Sequence, residues 1–155
     1  EVEVDSFEAG TEGWMGASST AQCGVFGNIL GGFAAFGQTL SLTKTFMGLP
    51  FHSAVFVDMD VIAIDFWEAQ DTYSVVLDGE TFGPFDQDTG ATSFGQQCGL
   101  EGGIKGPPSG AEETLRHLRL PLLHSASTLD VAIVANLDEI TADESLGIDN
   151  VVISV

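Results

Sequence analysis

The chain has 155 residues, enough for one domain with a sizeable core and too few for two ordinary ones. Its 44% apolar content excludes a disordered solvating segment, despite a formal net charge of −19. Four Lys and Arg against 23 Asp and Glu exclude a phosphate-tracking surface and a polybasic anchor, so neither nucleic acid nor membrane is an expected partner. No apolar run approaches the roughly 20 residues of a spanning helix, so membrane insertion is not expected either.

Uncompensated negative charge opposes compaction. The remedies are to spread carboxylates over solvent or to neutralise some with divalent cations. The acids cluster at 65–71, 86–88 and 138–149, which makes calcium the expected cofactor.

In chain order, period-two alternation recurs and helical periodicity is nearly absent. Val2 and Val4 alternate with acids in an opening strand. Gly24 to Phe36 alternates Gly with Phe, Ile and Leu. It reads either as a bulged edge strand facing a partner or as rings filling the core. Leu40, Leu42 and Phe46 alternate with Thr and Ser, and Ala54 to Ile64 is long enough for a central strand. Tyr73 to Leu77 and Glu80 to Phe85 flank a turn at Asp78-Gly79. Gly99 to Glu113 reads as a long Gly/Pro loop. Leu115 to Leu120, Leu129 to Leu137 and Ile148 to Val155 complete the set. The expected fold is all-β, a two-sheet antiparallel sandwich of the jelly-roll kind, with residues 1–155 as a single domain.

One internal echo stands out. Leu49-Pro50-Phe51-His52-Ser53-Ala54 leads into a strand ending at Asp65, and Leu120-Pro121-Leu122-Leu123-His124-Ser125-Ala126 leads into one ending at Asp138. The two units are expected in related positions of the two sheets.

Cys23 and Cys98 are the only cysteines. An even count in an acidic, Gly-rich, Lys-poor chain points to a disulfide in a secreted protein, the alternative being two buried thiols. The start at Glu1, without Met, reads as a processed or excised chain.

For chemistry, Asp65, Glu68, Asp143 and Glu144 lie where strands leave or enter a sheet, and each pair either ligates a metal or caps a turn. His52, His117 and His124 lack transition-metal spacing, so His52 and His124 are expected to donate to backbone carbonyls. No Gly-x-Ser-x-Gly elbow is present. Asp58-Met59-Asp60 faintly resembles the acidic strand of laminarinase-type enzymes, but without their Glu residues, so no enzyme is expected. Trp14, Trp67 and Tyr73 are the aromatic side chains offered for stacking on a sugar.

Asp5-Ser6-Phe7-Glu8-Ala9-Gly10-Thr11-Glu12-Gly13-Trp14 resembles the opening motif of calcium-stabilised jelly-roll carbohydrate-binding modules, and Ile148-Asp149-Asn150-Val151 their closing strand. That resemblance implies a structural calcium on Glu8 and Asp149. Leu49-Pro50-Phe51-His52, Ile64-Asp65-Phe66-Trp67-Glu68, Asp78-Gly79 and Asp143-Glu144-Ser145-Leu146-Gly147-Ile148 resemble secreted surface proteins of protists with bacterial relatives. Leu146 stands where that pattern usually has Trp. This second resemblance implies an extracellular structural or adhesive module of a coat or fibril, with neighbouring copies as partners through the terminal strands. The alternative is a glycan-binding, lectin-like module.

Overall fold

The computed structural model describes residues 2–17, 19–100 and 112–155. Most of the predicted Gly/Pro loop lies outside them. Among the described residues, eleven strands form two antiparallel sheets. The larger has seven: β2 (Thr20–Gln22), β3 (Asn28–Gly31), β11 (Glu144–Ser154), β5 (Ala54–Asp65), β9 (Thr114–Leu123) and β8 (Thr92–Ser93) in order, with β1 (Glu3–Asp5) also on β11. The smaller has β4 (Ser41–Met47), β10 (Thr128–Asn136), β6 (Thr72–Leu77) and β7 (Glu80–Phe85). This is the expected sandwich.

The period of two explains how β5 serves two cores. Val55, Val57, Met59, Val61 and Ala63 point between the sheets, where they meet Phe46, Val75, Leu129 and Ile133. Ile62 and Ile64 point to the other face and join Cys23 and Ile29 in a second, smaller cluster. Phe26 and Phe33 pack against that cluster, and Phe36 is buried in the main core. The Phe-rich segment therefore extends the larger sheet through β3 and lays Phe26, at the end of the 3₁₀ turn Gly24–Phe26, and Phe33 against its outer face. The exposed-edge reading of this segment is corrected.

β1 pairs with β11 in the same chain, Glu3 opposite Ile153 and Asp5 opposite Val151, so the terminal strands give no support to head-to-tail assembly. Behind them, Lys44 Nζ donates to Asp5 at 2.8 Å and Glu3 at 2.7 Å. Trp14 Nε1 donates to the same Asp5 carboxylate at 2.8 Å. A buried Asp is tolerated there because both donors satisfy it.

β6 and β7 form a two-residue hairpin on Asp78 and Gly79, with φ of 45° and 85°. Such type I′ turns match strand twist, and Gly takes the second left-handed position without cost. Cys23 and Cys98 are joined in a disulfide. It ties the Phe-rich cover to the segment following β8. Closing a separation of 75 residues restricts the unfolded chain by roughly 4 kcal/mol in the loop-entropy estimate. Reduction is expected to lower unfolding free energy by about 2–4 kcal/mol in urea titrations. An unchanged midpoint, with both thiols shown free, would contradict this.

Candidate functional site

In a sandwich whose strands change sheet, the connections gather at the two ends. β5 passes to β6 through 66–71, and β10 passes to β11 through 137–143. Both crossovers lie at one end and both are acidic. Glu68, Asp71 and Asp138 each offer a carboxylate oxygen within 4.8 Å of the others. Glu144, the first residue of β11, is fully buried beside Asp71. One Glu144 oxygen accepts the Glu139 amide at 3.3 Å, and the other is buried with no hydrogen-bond partner. Gln70 Nε2 spans the mouth, donating to Glu68 at 2.8 Å and to Asp138 at 3.1 Å.

The six acids read from the sequence fall into three groups. Glu68 and Glu144 belong to the cluster just described, with Asp71 and Asp138 added by the fold. Asp65 and Asp143 form a second group with Glu113. Asp65 is fully buried, and one of its oxygens accepts the Leu100 amide at 3.1 Å. Glu8 and Asp149 form a third with Glu12 and Asp60, around the bulge in β11 after Asp149. Glu8 accepts the backbone and side-chain nitrogens of Asn28 at 3.1 and 3.0 Å. Glu12 Oε2 is buried without a partner. A sequence signal for Glu12 existed inside the Glu8 motif. None existed for Asp60, which reaches the group only through the β5–β11 ladder.

Burial dominates the electrostatics. It pushes the carboxyls of Asp65 and Asp149 up to about 6, Glu113 and Asp143 adding repulsion at the first and Asp60, Glu8 and Glu12 at the second. Glu144 is raised by burial and then by the Asp71 charge, and Asp71 is itself raised by burial. Two carboxyls in contact inside a fold do not both ionise without a counter-charge. A proton or a bound cation supplies it. The orphaned oxygens of Glu144 and Glu12 are the kind of hard donor that calcium takes.

Two open recesses flank the 66–71 crossover. One, about 460 Å³, is lined by Gln38, Thr39, Gln70, Asp71, Asn136 and Asp138. The other, about 530 Å³, is lined by Phe66, Trp67, Glu68, Gln87, Asp88 and Thr89. The aromatic expectation is corrected here: Trp14, Trp67 and Tyr73 are 3%, 5% and 2% exposed and offer no face to a ligand. Trp67 Nε1 donates to the Ser145 carbonyl at 3.2 Å, and its ring meets Tyr73 edge-on. Phe66 is the aromatic that the recess presents, at 36% exposure. Sequence reasoning passed over it because Trp67 stood next to it.

Fold and site together define an acidic, all-β sandwich with its polar clusters on the inter-sheet crossovers. Among solved structures, it resembles the C-terminal CBM6 of LamC, a marine laminarinase from Zobellia galactanivorans. The TM-score is 0.50 at 12% identity, over 99% of this chain and 98% of that one. A family 35 carbohydrate-binding module from Clostridium thermocellum matches over 100% of both chains, with a TM-score of 0.48 and 11% identity. The GH115 4-O-methyl-α-glucuronidase BtGH115A matches with a TM-score of 0.48 and 15% identity; this chain spans 17% of its length. The first of these likenesses agrees with the sandwich fold. No family model matches the sequence, and no curated protein matches it. The resemblance to protist surface proteins thus rests on its four motifs.

A raised carboxyl pKa means that the folded state holds more protons than the unfolded state, so stability is present at low pH and falls as pH rises. For Asp65 and Asp149 the fall runs from about 4 to about 6. For Glu144 it continues above the ordinary carboxylate range. Metal-free protein is therefore expected to melt higher at pH 5 than at pH 8. Glu144→Gln is expected to gain at least about 1.4 kcal/mol at pH 8, the value of one pKa unit. Thermal melts of both proteins in chelator check the sign.

Proposed function

We propose that this chain is a non-enzymatic, extracellular carbohydrate-binding module, stabilised by calcium and forming one unit of a longer secreted protein. The carrying observation is the end of the sandwich where polar recesses open on both sides of an acidic crossover. Gln38, Gln70, Asn136 and Gln87 present amides there, Asp138 and Asp88 present carboxylates, and Phe66 presents an aromatic edge. Vicinal hydroxyls need donors and acceptors at such spacing, while the apolar face of a pyranose packs on an aromatic ring. The likeness in fold to a module of a laminarinase supports the same reading. It also makes glycan binding preferable to the coat or fibril subunit, since the terminal strands pair with each other within the chain.

Each of the three acidic groups holds a buried carboxylate oxygen without a hydrogen-bond partner, on Glu12, Asp65 and Glu144, and the two with four carboxylates each suit calcium best. Glu8, Glu12, Asp60 and Asp149 would hold one ion beside the bulge. Glu68, Asp71, Asp138 and Glu144 would hold another between the crossovers. Bound there, the cation supplies the counter-charge that two touching carboxyls lack, and it fixes the loops that line the recesses. No bond-making step is assigned to any residue.

Calcium at about 100 times its dissociation constant is expected to add about 2.7 kcal/mol to folding and raise the melting temperature. Magnesium should do so poorly, because its small octahedral shell dehydrates reluctantly. Identical melts in chelator and in millimolar calcium would sink the metal assignment. For the ligand, affinity electrophoresis against soluble polysaccharides in calcium should show retardation. Phe66→Ala or Asn136→Ala should weaken it about tenfold, the effect of roughly 1.4 kcal/mol. No retardation by β-glucans, mannans, xylans or uronate-bearing glycans would overturn the reading.

A further inference from the structure

The opposite end of the sandwich carries two histidines that neither the acidic groups nor the recesses use. His52 lies on the crossover from β4 to β5, and His124 on the crossover from β9 to β10. Both are buried, at 8% and 9% exposure. Their rings lie within 18° of parallel, and His52 Nε2 stands 2.6 Å from His124 Nδ1. At the outer ends of the pair, His52 Nδ1 faces the Pro50 carbonyl oxygen at 2.5 Å. His124 Nε2 faces the Thr128 carbonyl oxygen and Asp78 Oδ2, each at 2.9 Å.

Proton counting then constrains the pair. Both ends terminate on acceptors, so each outer ring nitrogen must carry a hydrogen. The inner contact needs one hydrogen between its two nitrogens. Three hydrogens are required in all. Two neutral imidazoles bring two, and two imidazoliums bring four. With two, either a ring lone pair faces an oxygen or the two inner lone pairs face each other. With four, two N–H groups face each other at 2.6 Å. Only one extra proton satisfies every contact.

We propose that His52 and His124 form a one-proton clasp that closes this end of the sandwich. The clasp joins the two sheets, because His52 precedes β5 and His124 follows β9 in the larger sheet, whereas Thr128 opens β10 and Asp78 turns β6 into β7 in the smaller. Asp78 is the charged group facing the pair. Its other oxygen accepts the Asp130 amide at 2.8 Å, and the Asp130 carboxylate is engaged by Thr45. The two crossovers, 48–53 and 124–127, contain no other titratable side chain. The bound proton is therefore balanced by Asp78. Gaining or losing a proton outside the histidine range opens the clasp and loosens the crossovers.

Asp78→Asn separates this from a merely structural pair. An Asn side chain keeps the oxygen that accepts the Asp130 amide and tolerates the positive φ of 45° at this turn. The substitution removes the charge that balances the bound proton, so the variant pair gives that proton up at a lower pH than the wild-type pair. Histidine ¹⁵N spectra of the whole chain, recorded in saturating calcium to silence the acidic groups, give the count directly. Three ring N–H hydrogens in the pair near neutral pH are expected for wild type, and two for Asp78→Asn. As pH rises from the ordinary histidine value, about 6.5, up to the wild-type transition, the folding constant of wild type should fall relative to the variant by up to about tenfold per pH unit, the linkage of one proton, and level off beyond it. Two neutral rings in wild type near pH 7, or coincident pH profiles for the two proteins, would overturn the clasp. If the variant fails to fold, the wild-type proton count decides alone.

Discussion

Asp71 touching Glu144 in a buried crossover is the contact on which the chemistry of this molecule turns. Both side chains are fully buried, in a chain whose formal net charge is −19. Two negative charges at that separation in a poorly solvated site repel by several kcal/mol, at an effective dielectric near 20. The fold cannot relieve them by moving apart. Asp71 caps its own crossover, accepting the Glu68 amide at 2.6 Å and the Asp138 amide at 3.2 Å, and Glu144 accepts the Glu139 amide. The carboxylates are needed locally because the crossovers carry backbone N–H groups that no strand can satisfy. Turn capping is thus observed at these residues, and the cation binding proposed for them would fall to the same side chains.

Much of the architecture was legible from alternation. The Asp78-Gly79 hairpin could be read directly, and β5 was legible as a central strand, because each depends on a local pattern. The failures share one cause. Trp14 reads as a free aromatic until Asp5, nine residues away, is seen to hold its indole nitrogen. Trp67 and Tyr73 read as ligand faces until they meet one another edge-on beneath a crossover. The Phe-rich segment stays open between an exposed edge and core filling, because nothing local reveals that Ile62 and Ile64 leave an apolar strip on the outer face of β5. The acidic residue types were visible, but their grouping was not. Asp71 and Asp138 are 67 residues apart and meet only because two strands change sheet at the same end.

The repeated Leu-Pro and His-Ser-Ala units give the reason for that meeting. Each unit introduces an interior strand: β5 lies between β11 and β9 in one sheet, and β10 lies between β4 and β6 in the other. Because the strand entrances share one end, their histidines come together there. Because the strand exits share the other end, the acids that follow them, Glu68 and Asp71 after β5 and Asp138 after β10, come together too. A six-residue echo thus encodes a spatial relation between sheets rather than a similar function at two separate places.

The two ends consequently answer acid in opposite senses. At the carboxylate end, protons relieve repulsion between groups that burial has already pushed upward, so mild acid tightens the crossovers. At the histidine end, a second proton sets two N–H groups against one another, so the same acid loosens them. The calcium proposed here would act away from the histidine pair, which offers nitrogens whose hydrogens are committed and one carboxylate already shared with a backbone amide. Cation loading would therefore remove the acid response of the carboxylate groups and expose that of the histidine end. Glycan contact would draw on the carboxylate end, where the recesses open. Acid that reaches the histidine end would loosen the joint between the sheets some distance from any bound sugar, leaving the calcium-fixed loops in place while the far crossovers part.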